Sequence, residues 1–309
     1  MINIFLGLTP FIFITTLGYF FGRIKIFNMS HAHILNLFLF YIAVPALIIK
    51  LVSQSEIGQV DLKQIISYFL MQSICGLFTF FLTWKFFRRP TTESIIWSLT
   101  VALSNHVTLL LPITKLYFDE NIITQVASII LMDGVILLSV ITFFLELSTK
   151  RDISLIPFLK NILLNPMIFS ILIGFIIVIF DINIDDGPVD FTLSKLSSCV
   201  SPVGLFAIGI ILSFYSEKPF NRLSISISFI KLIISPLVLI LLGFLFFDSG
   251  IPKEIPGAFF VSVAPCGVTS IVMCSAYNVS PENIIKAIFI STLVSIGTIF
   301  FAIQYLTLY

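Results

Sequence analysis

Apolar residues run along this chain in blocks of roughly 20, with the charged residues gathered in short clusters between them. About 20 apolar residues in a helix span the hydrocarbon core of a bilayer. Ten blocks are read, at 2–22, 34–53, 64–84, 94–118, 122–147, 157–180, 194–215, 224–247, 256–277 and 284–306. Each is predicted to be a transmembrane helix, because backbone polar groups in lipid must pair within their own segment. Two of the ten blocks break the pattern. The fourth holds Ser104, Asn105, His106 and Thr108, then Pro112. The ninth holds Pro265, then Gly267, Thr269 and Ser270. Proline removes a backbone donor and clashes with the preceding turn, so both helices are expected to be broken at their prolines.

A weak internal repeat relates the two. "PFIFITTLG" (10–18) in the first block matches "PMIFSILIG" (166–174) in the sixth. Pro45 follows Pro10 by 35 residues, and Pro202 follows Pro166 by 36, so the register holds into the next block. The repeats are taken as 1–153 and 154–309. Five spans per half make the second half enter from the opposite side, an inverted-topology repeat. Corresponding interrupted helices, one per half, are the best sequence pointer to a transporter's midplane site. Asn105, Thr108, Pro112, Pro265, Gly267, Thr269 and Ser270 are therefore the candidate substrate-binding residues. The plainer alternative is two ordinary kinks, with the polar side chains bonding neighbouring helices.

Composition agrees with the spans. The chain is 58% hydrophobic and 11% charged, with a mean hydropathy of +1.11, against about 25% charged in soluble domains. The net charge of +1 gives no ground for a nucleic-acid partner. Basic residues orient the spans. Eleven follow odd-numbered blocks and four lie at the opposite face, so the positive-inside rule puts both termini outside the cytoplasm. The basic residues Arg23 and Lys25 follow the first apolar run, which is read as a retained helix and not a signal peptide. Lys50 and Lys115 are expected to snorkel at the outer ends of their helices. The four cysteines all lie in apolar blocks without metal-ligand spacing and are read as small buried residues.

Three titratable residues within the apolar blocks are singled out as candidates for ion coupling. Asp133 sits about 17 Å into the fifth block, near the midplane. An acid there is a candidate for proton or sodium coupling, or a hydrogen-bonded group joining two helices. His106 is read as bonding a neighbouring helix, or as a proton carrier. Lys231, about seven residues into the eighth block, is read as snorkelling to the cytoplasmic face, with a role as partner to Asp133 or to an anionic substrate as the alternative. His31 and His33 are read as surface residues. No nucleotide or zinc-protease motif is present. Energy must then come from a gradient or the membrane potential.

At these residues the chain resembles the auxin efflux carrier family of permeases. "NLFLFYIAVPALIIKLVS" (36–53) is similar to that family's second helix, and "SNHVTLLLP" (104–112) to its fourth-helix motif. "NPMIFSILIGFIIV" (165–178) is similar to its sixth helix, and "APCGVTS" (264–270) to its ninth-helix break. The resemblance covers essentially the whole chain. It implies ten helices in two inverted repeats, with helices 4 and 9 crossing at the midplane. Ser104, His106, Val107 and Leu109 stand where the family commonly has glycines around the fourth-helix Asn. The short connection "STKRDISLIP" (148–157) matches the compact prokaryotic members, which include organic-acid permeases.

The expectation is an all-α, multi-pass protein of a plasma (bacterial inner) membrane. Its function is read as secondary transport of a small organic anion or carboxylate by alternating access. No cofactor or metal is expected beyond a coupling H+ or Na+. Its partners are the small-molecule substrate and membrane lipid, with a homodimer as the oligomer to consider. The runner-up is a sodium-coupled symporter of the bile acid/sodium symporter type. A membrane sensor lacks an output domain here, and an intramembrane enzyme lacks a second carboxylate beside Asp133, so the chain is read as no enzyme.

Overall fold

The computed structural model describes residues 2–54, 61–149, 165–184, 187–215, 221–246 and 254–308. Among them it is all-helical, without a strand. In chain order the helices are α1 (Ile2–Arg23), α2 (Met29–Ser53), α3 (Leu62–Phe86), α4 (Thr91–Ala102), α5 (Leu111–Tyr117) and α6 (Glu120–Thr149). They continue as α7 (Pro166–Ile179), α8 (Pro188–Phe214), α9 (Arg222–Phe246), α10 (Pro256–Ser262), α11 (Thr269–Ala276) and α12 (Glu282–Leu308). Six of these, α2, α3, α6, α8, α9 and α12, are long and apolar enough to cross a membrane. The expected sixth block begins at 157. Its first part, like the expected repeat boundary at 153/154, lies outside the described residues.

Helix starts follow capping chemistry. The carboxylate or amide oxygens of Asp61, Asp119, Asn165 and Asn221 accept from N–H groups in the first turns of α3, α6, α7 and α9. These donors have no partner within the helix. Asn28 and His31 form a reciprocal capping box at α2. The His31 N–H donates to Asn28 Oδ1, and the Asn28 N–H donates to His31 Nδ1, each at 3.1 Å. His31 and His33 are exposed, as expected.

Pro112 behaves differently from expectation. Pro45, Pro112 and Pro236 do not break their helices. Each comes two residues after a π-helical turn, at Leu39–Ala43, His106–Leu110 and Ile230–Ile234 respectively. In these turns the N–H of Val44, Leu111 and Ser235 reaches back five residues, to the carbonyls of Leu39, His106 and Ile230. The wider turn shifts the hydrogen-bond register just ahead of a ring that has no N–H and would crowd the carbonyl four residues back. Pro112 therefore sits at the start of a regular helix, α5. The interruption of the fourth block lies earlier, at 103–105. Pro265, by contrast, does lie in the non-helical stretch between α10 and α11.

The helices pack in two groups. In the first, α1 lies along α8, and α2 packs on α7 and α8. In the second, α3 packs on α4 and α9, α6 on α4 and α10, and α12 on α9. The α1–α8 contact is backbone to backbone. A Cβ on Gly18 would lie 2.2 Å from the Phe206 carbonyl oxygen, and one on Gly209 would lie 2.1 Å from that of Thr15. Small residues allow this approach where no hydrophobic effect drives helices together in lipid. Large apolar side chains such as Phe13, Leu77, Leu241 and Phe301 face outward. Trp97, Tyr68 and Lys231 are fully buried.

Candidate functional site

Two non-helical strips meet at the centre of the second group. The Asn105 N–H donates to the Pro265 carbonyl at 3.0 Å, and the Gly267 N–H donates to the Leu103 carbonyl at 2.7 Å. Ser104 and Cys266 thereby pair in a short antiparallel bridge. Backbone groups freed by ending two helices in an apolar interior need partners, and each strip supplies them to the other. Gly267 is required by the closeness of this contact, since a Cβ there would lie 2.7 Å from the Leu103 carbonyl oxygen.

Ser104 is the hub of a buried polar chain. Its hydroxyl donates to the Val261 carbonyl at 3.1 Å and accepts from Lys231 Nζ at 2.6 Å. Its second lone pair is left for the Tyr68 hydroxyl, 3.2 Å away. Lys231 is 0% exposed, so it does not snorkel. It sits on the π-helical turn of α9 and points at the crossing. Among the described residues it makes no ion pair, and Asp133 acts on it only at longer range. Lys50, also expected to snorkel, instead pairs with Asp190 at 2.8 Å and joins α2 to α8. Lys115 is exposed.

A second chain runs through Asp133, which is also 0% exposed. His106 Nε2 lies 2.8 Å from Asp133 Oδ2, and Gln72 Nε2 donates to Asp133 Oδ1 at 2.6 Å. A buried carboxylate is tolerable only when paired in this way. Asp133 opens another π-helical turn, Asp133–Leu137, which no proline explains. Such turns often mark functional positions.

A cavity of about 110 Å³ lies where these parts meet. The strip and turn at 103–108 form one wall, α2 contributes Asn36, Leu39, Phe40, Val44 and Ile48, and α6 contributes Asp133 and Gly134. Met167 of α7 and Thr269 of α11 complete it. The cavity thus lies between the two helix groups. Of the residues singled out in the sequence, it brings together Asn105, His106, Thr108, Asp133 and Thr269. Pro112, Pro265, Gly267, Ser270 and Lys231 do not line it. Ser270 spends its hydroxyl on the Gly267 carbonyl at 2.8 Å.

Two donor-capable nitrogens of residues that line this cavity are fully buried and without a partner. Thr108 Oγ1 donates to Asn105 Oδ1, which leaves Asn105 Nδ2 without a partner. His106 Nδ1 is likewise buried without a partner. The residues missed in the sequence are Ser104 as hub, Gln72 and Tyr68. Tyr68, Gln72, Cys75, Thr79 and Thr83 recur every three to four residues on α3 and are all buried. That spacing, a polar stripe on one helix face, was the available signal. Among the described residues no group of three or more His, Cys, Asp or Glu converges on a metal-sized site.

A family profile described as "Membrane transport protein" matches residues 4–303. The uncharacterized transporter YfdV of Escherichia coli (strain K12) is 25% identical over 256 residues, covering 79% of each chain. The protein of the same name from Shigella flexneri matches to the same extent.

Proposed function

As the chain belongs to the membrane transport protein family, the auxin efflux carrier family whose resemblance its motifs carry, we propose that it is a secondary transporter for a small organic anion. The family is one of transporters, not enzymes, and the chain is a multi-pass membrane protein. The finer reading is alternating access, with one helix group rocking against the other around the crossing. The observation that carries it is the cavity, which is walled by both groups and lined by Asn105, His106, Thr108 and Asp133. Movement between groups would open such a cavity to either side, while the paired strips keep the crossing intact.

The packing also supports two inverted five-helix repeats, ten spans in all. Exchanging the halves turns the α1–α8 contact into the α7–α2 contact, and both are present. The coupling ion is read as a proton shared by Asp133 and His106, which are both buried and lie 2.8 Å apart.

The test is uptake by the purified chain in liposomes, with a panel of carboxylates, amines and neutral solutes, and with imposed pH or sodium gradients. Carboxylate uptake stimulated by a pH gradient is expected. Uptake of amines or neutral solutes alone would overturn the anion reading, and stimulation by sodium alone would favour the symporter of the bile acid type. The orientation has its own test. A reporter active only in the cytoplasm, fused after Tyr309, should give no signal if both termini lie outside the inner membrane's cytoplasmic face. A strong signal reverses the topology.

A further inference from the structure

A groove on the flank of the second helix group is larger than the cavity at the crossing, about 580 Å³ against about 110 Å³. The transport reading makes no use of it. We propose that it is a binding site for one anionic phospholipid, with an acyl chain in the groove and the phosphate at Lys85 and Arg88.

The groove is formed by one face each of α3, α4 and α6. Its floor is the seam between α3 and α4, where the side chains are small. Gly76 and Ser98 come so close that a Cβ on Gly76 would lie 2.9 Å from Ser98 Oγ, and Ala102 is buried. Small side chains fill little volume, and the space left between this seam and α6 is the groove. Its rim is apolar and open. Leu77, Val140 and Phe144 are 60%, 41% and 49% exposed. In a chain that spans a membrane such side chains meet lipid tails, so the groove opens sideways into the bilayer.

Length and volume identify the occupant. One end of the groove lies at Gln72, Ala102 and Leu137, the other at Phe80, Thr91 and Ser148. The two ends are eleven residues apart on α4 and on α6, so about 16 Å along a helix. That is about half of the hydrocarbon core, the depth of one leaflet. A helix from a second copy of the chain would run the full thickness. A cavity of about 150 Å³ accepts benzene with its six carbons, so about 580 Å³ holds a chain of roughly 20 carbons.

The outer end carries the charge. Lys85 and Arg88, at the end of α3 and just after it, are exposed, and among the described residues neither makes an ion pair. Arg89 already lies 3.6 Å from Glu93, and Glu146, beside Leu147 on α6, is buried. Two unmatched positive charges attract a phosphate, whereas a zwitterionic headgroup sets its own cation beside them. Trp84, exposed and stacked on Phe80, marks this end as the membrane interface, where tryptophan gathers. At the inner end the chain would pack against Gln72, which donates to Asp133 Oδ1 and to the Ala102 carbonyl.

The full chain, purified in detergent and stripped of lipid, is titrated with phosphatidylglycerol and with phosphatidylcholine of the same oleoyl chains. Native mass spectrometry counts the bound lipid, and thermal unfolding reads the stabilisation. One phosphatidylglycerol should stay bound, at least about tenfold more tightly than phosphatidylcholine, and should raise the thermal midpoint by several degrees. Ser73 lines the groove on α3, so Ser73→Phe puts a ring into it and should abolish both effects. Lys85→Gln combined with Arg88→Gln changes two exposed positions and leaves the groove alone. It should erase the preference while phosphatidylcholine still binds. Equal wild-type affinity for the two lipids overturns the inference, and so does an unchanged preference in the double variant, even if Ser73→Phe fails to fold. A folded Ser73→Phe protein that retains its lipid overturns it too. If that protein has also changed from dimer to monomer, the groove is a contact between copies and not a lipid site.

Discussion

Replacing Asp133 with Asn is expected to abolish concentrative uptake while leaving substrate exchange down its own gradient close to the wild-type rate. The carboxylate accepts from Gln72 on one oxygen and faces His106 Nε2 with the other. An Asn side chain can keep its oxygen toward Gln72, which puts its N–H groups toward His106. The imidazole then accepts at Nε2 and carries its hydrogen on Nδ1. The shape and the hydrogen bonds survive, but the charge that holds an imidazolium is gone, and a buried cation without its partner is disfavoured. Proton loading should therefore fail. In liposomes with an inward pH gradient the accumulation ratio should fall to about 1. Counterflow, measured in the same preparation from pH 5 to 8, should persist. Full accumulation by the mutant with an unchanged pH profile would make Asp133 a structural residue.

Gly267→Val should be the most damaging single substitution at the crossing. A Cβ at this position meets the Leu103 carbonyl oxygen at 2.7 Å and Leu103 Cγ at 3.0 Å. The same carbonyl accepts the Gly267 N–H, so the strips cannot separate to make room without losing that bond. Overpacking and a lost buried hydrogen bond together should cost about 2–5 kcal/mol. Transport should be lost and the thermal midpoint of the purified protein should fall by several degrees. Gly297→Ala is the matched control. A Cβ there meets nothing within 4 Å on α12. Alanine also favours a helix over glycine by up to about 1 kcal/mol, so stability should hold or rise. Equal thermal midpoints for Gly267→Val and the wild type would mean that the strips are not rigidly paired.

Six of the expected spans were legible because the rule behind them is one-dimensional. A helix that pairs its own backbone in lipid needs only length and apolarity, and the blocks ending near Ser53, Phe86 and Phe246 show both. The two interrupted blocks were legible for the same reason, since Ser104, Asn105 and His106 violate the pattern. The position of the break was not. Pro112 looked like its cause, yet the chain absorbs that ring with a π-helical turn at His106–Leu110 and opens at 103–105 instead. Hydrogen-bond register is a property of the turn that precedes the proline, and composition does not encode it.

The same division applies to the charged groups. Sequence alone put Asp133, His106 and Lys231 at membrane depth, because depth follows from counting residues along a helix. It could not tell which way they point. Lys231 was expected to reach for the surface, since a long flexible side chain near a helix end does so when nothing binds it inside. The fold supplies what does bind it. Ser104 is presented by a strip that exists only because Leu103 and Gly267 pair across 164 residues of chain. His106 and Asp133 meet in the same way, brought from α6 and the broken fourth block to 2.8 Å. Sequence by itself determined that this chain is a helical membrane protein with two interrupted apolar blocks and a few titratable residues within its apolar stretches. Only the tertiary structure decided which of those residues touch, because a contact between groups on different helices depends on packing, and packing is set by the whole chain at once.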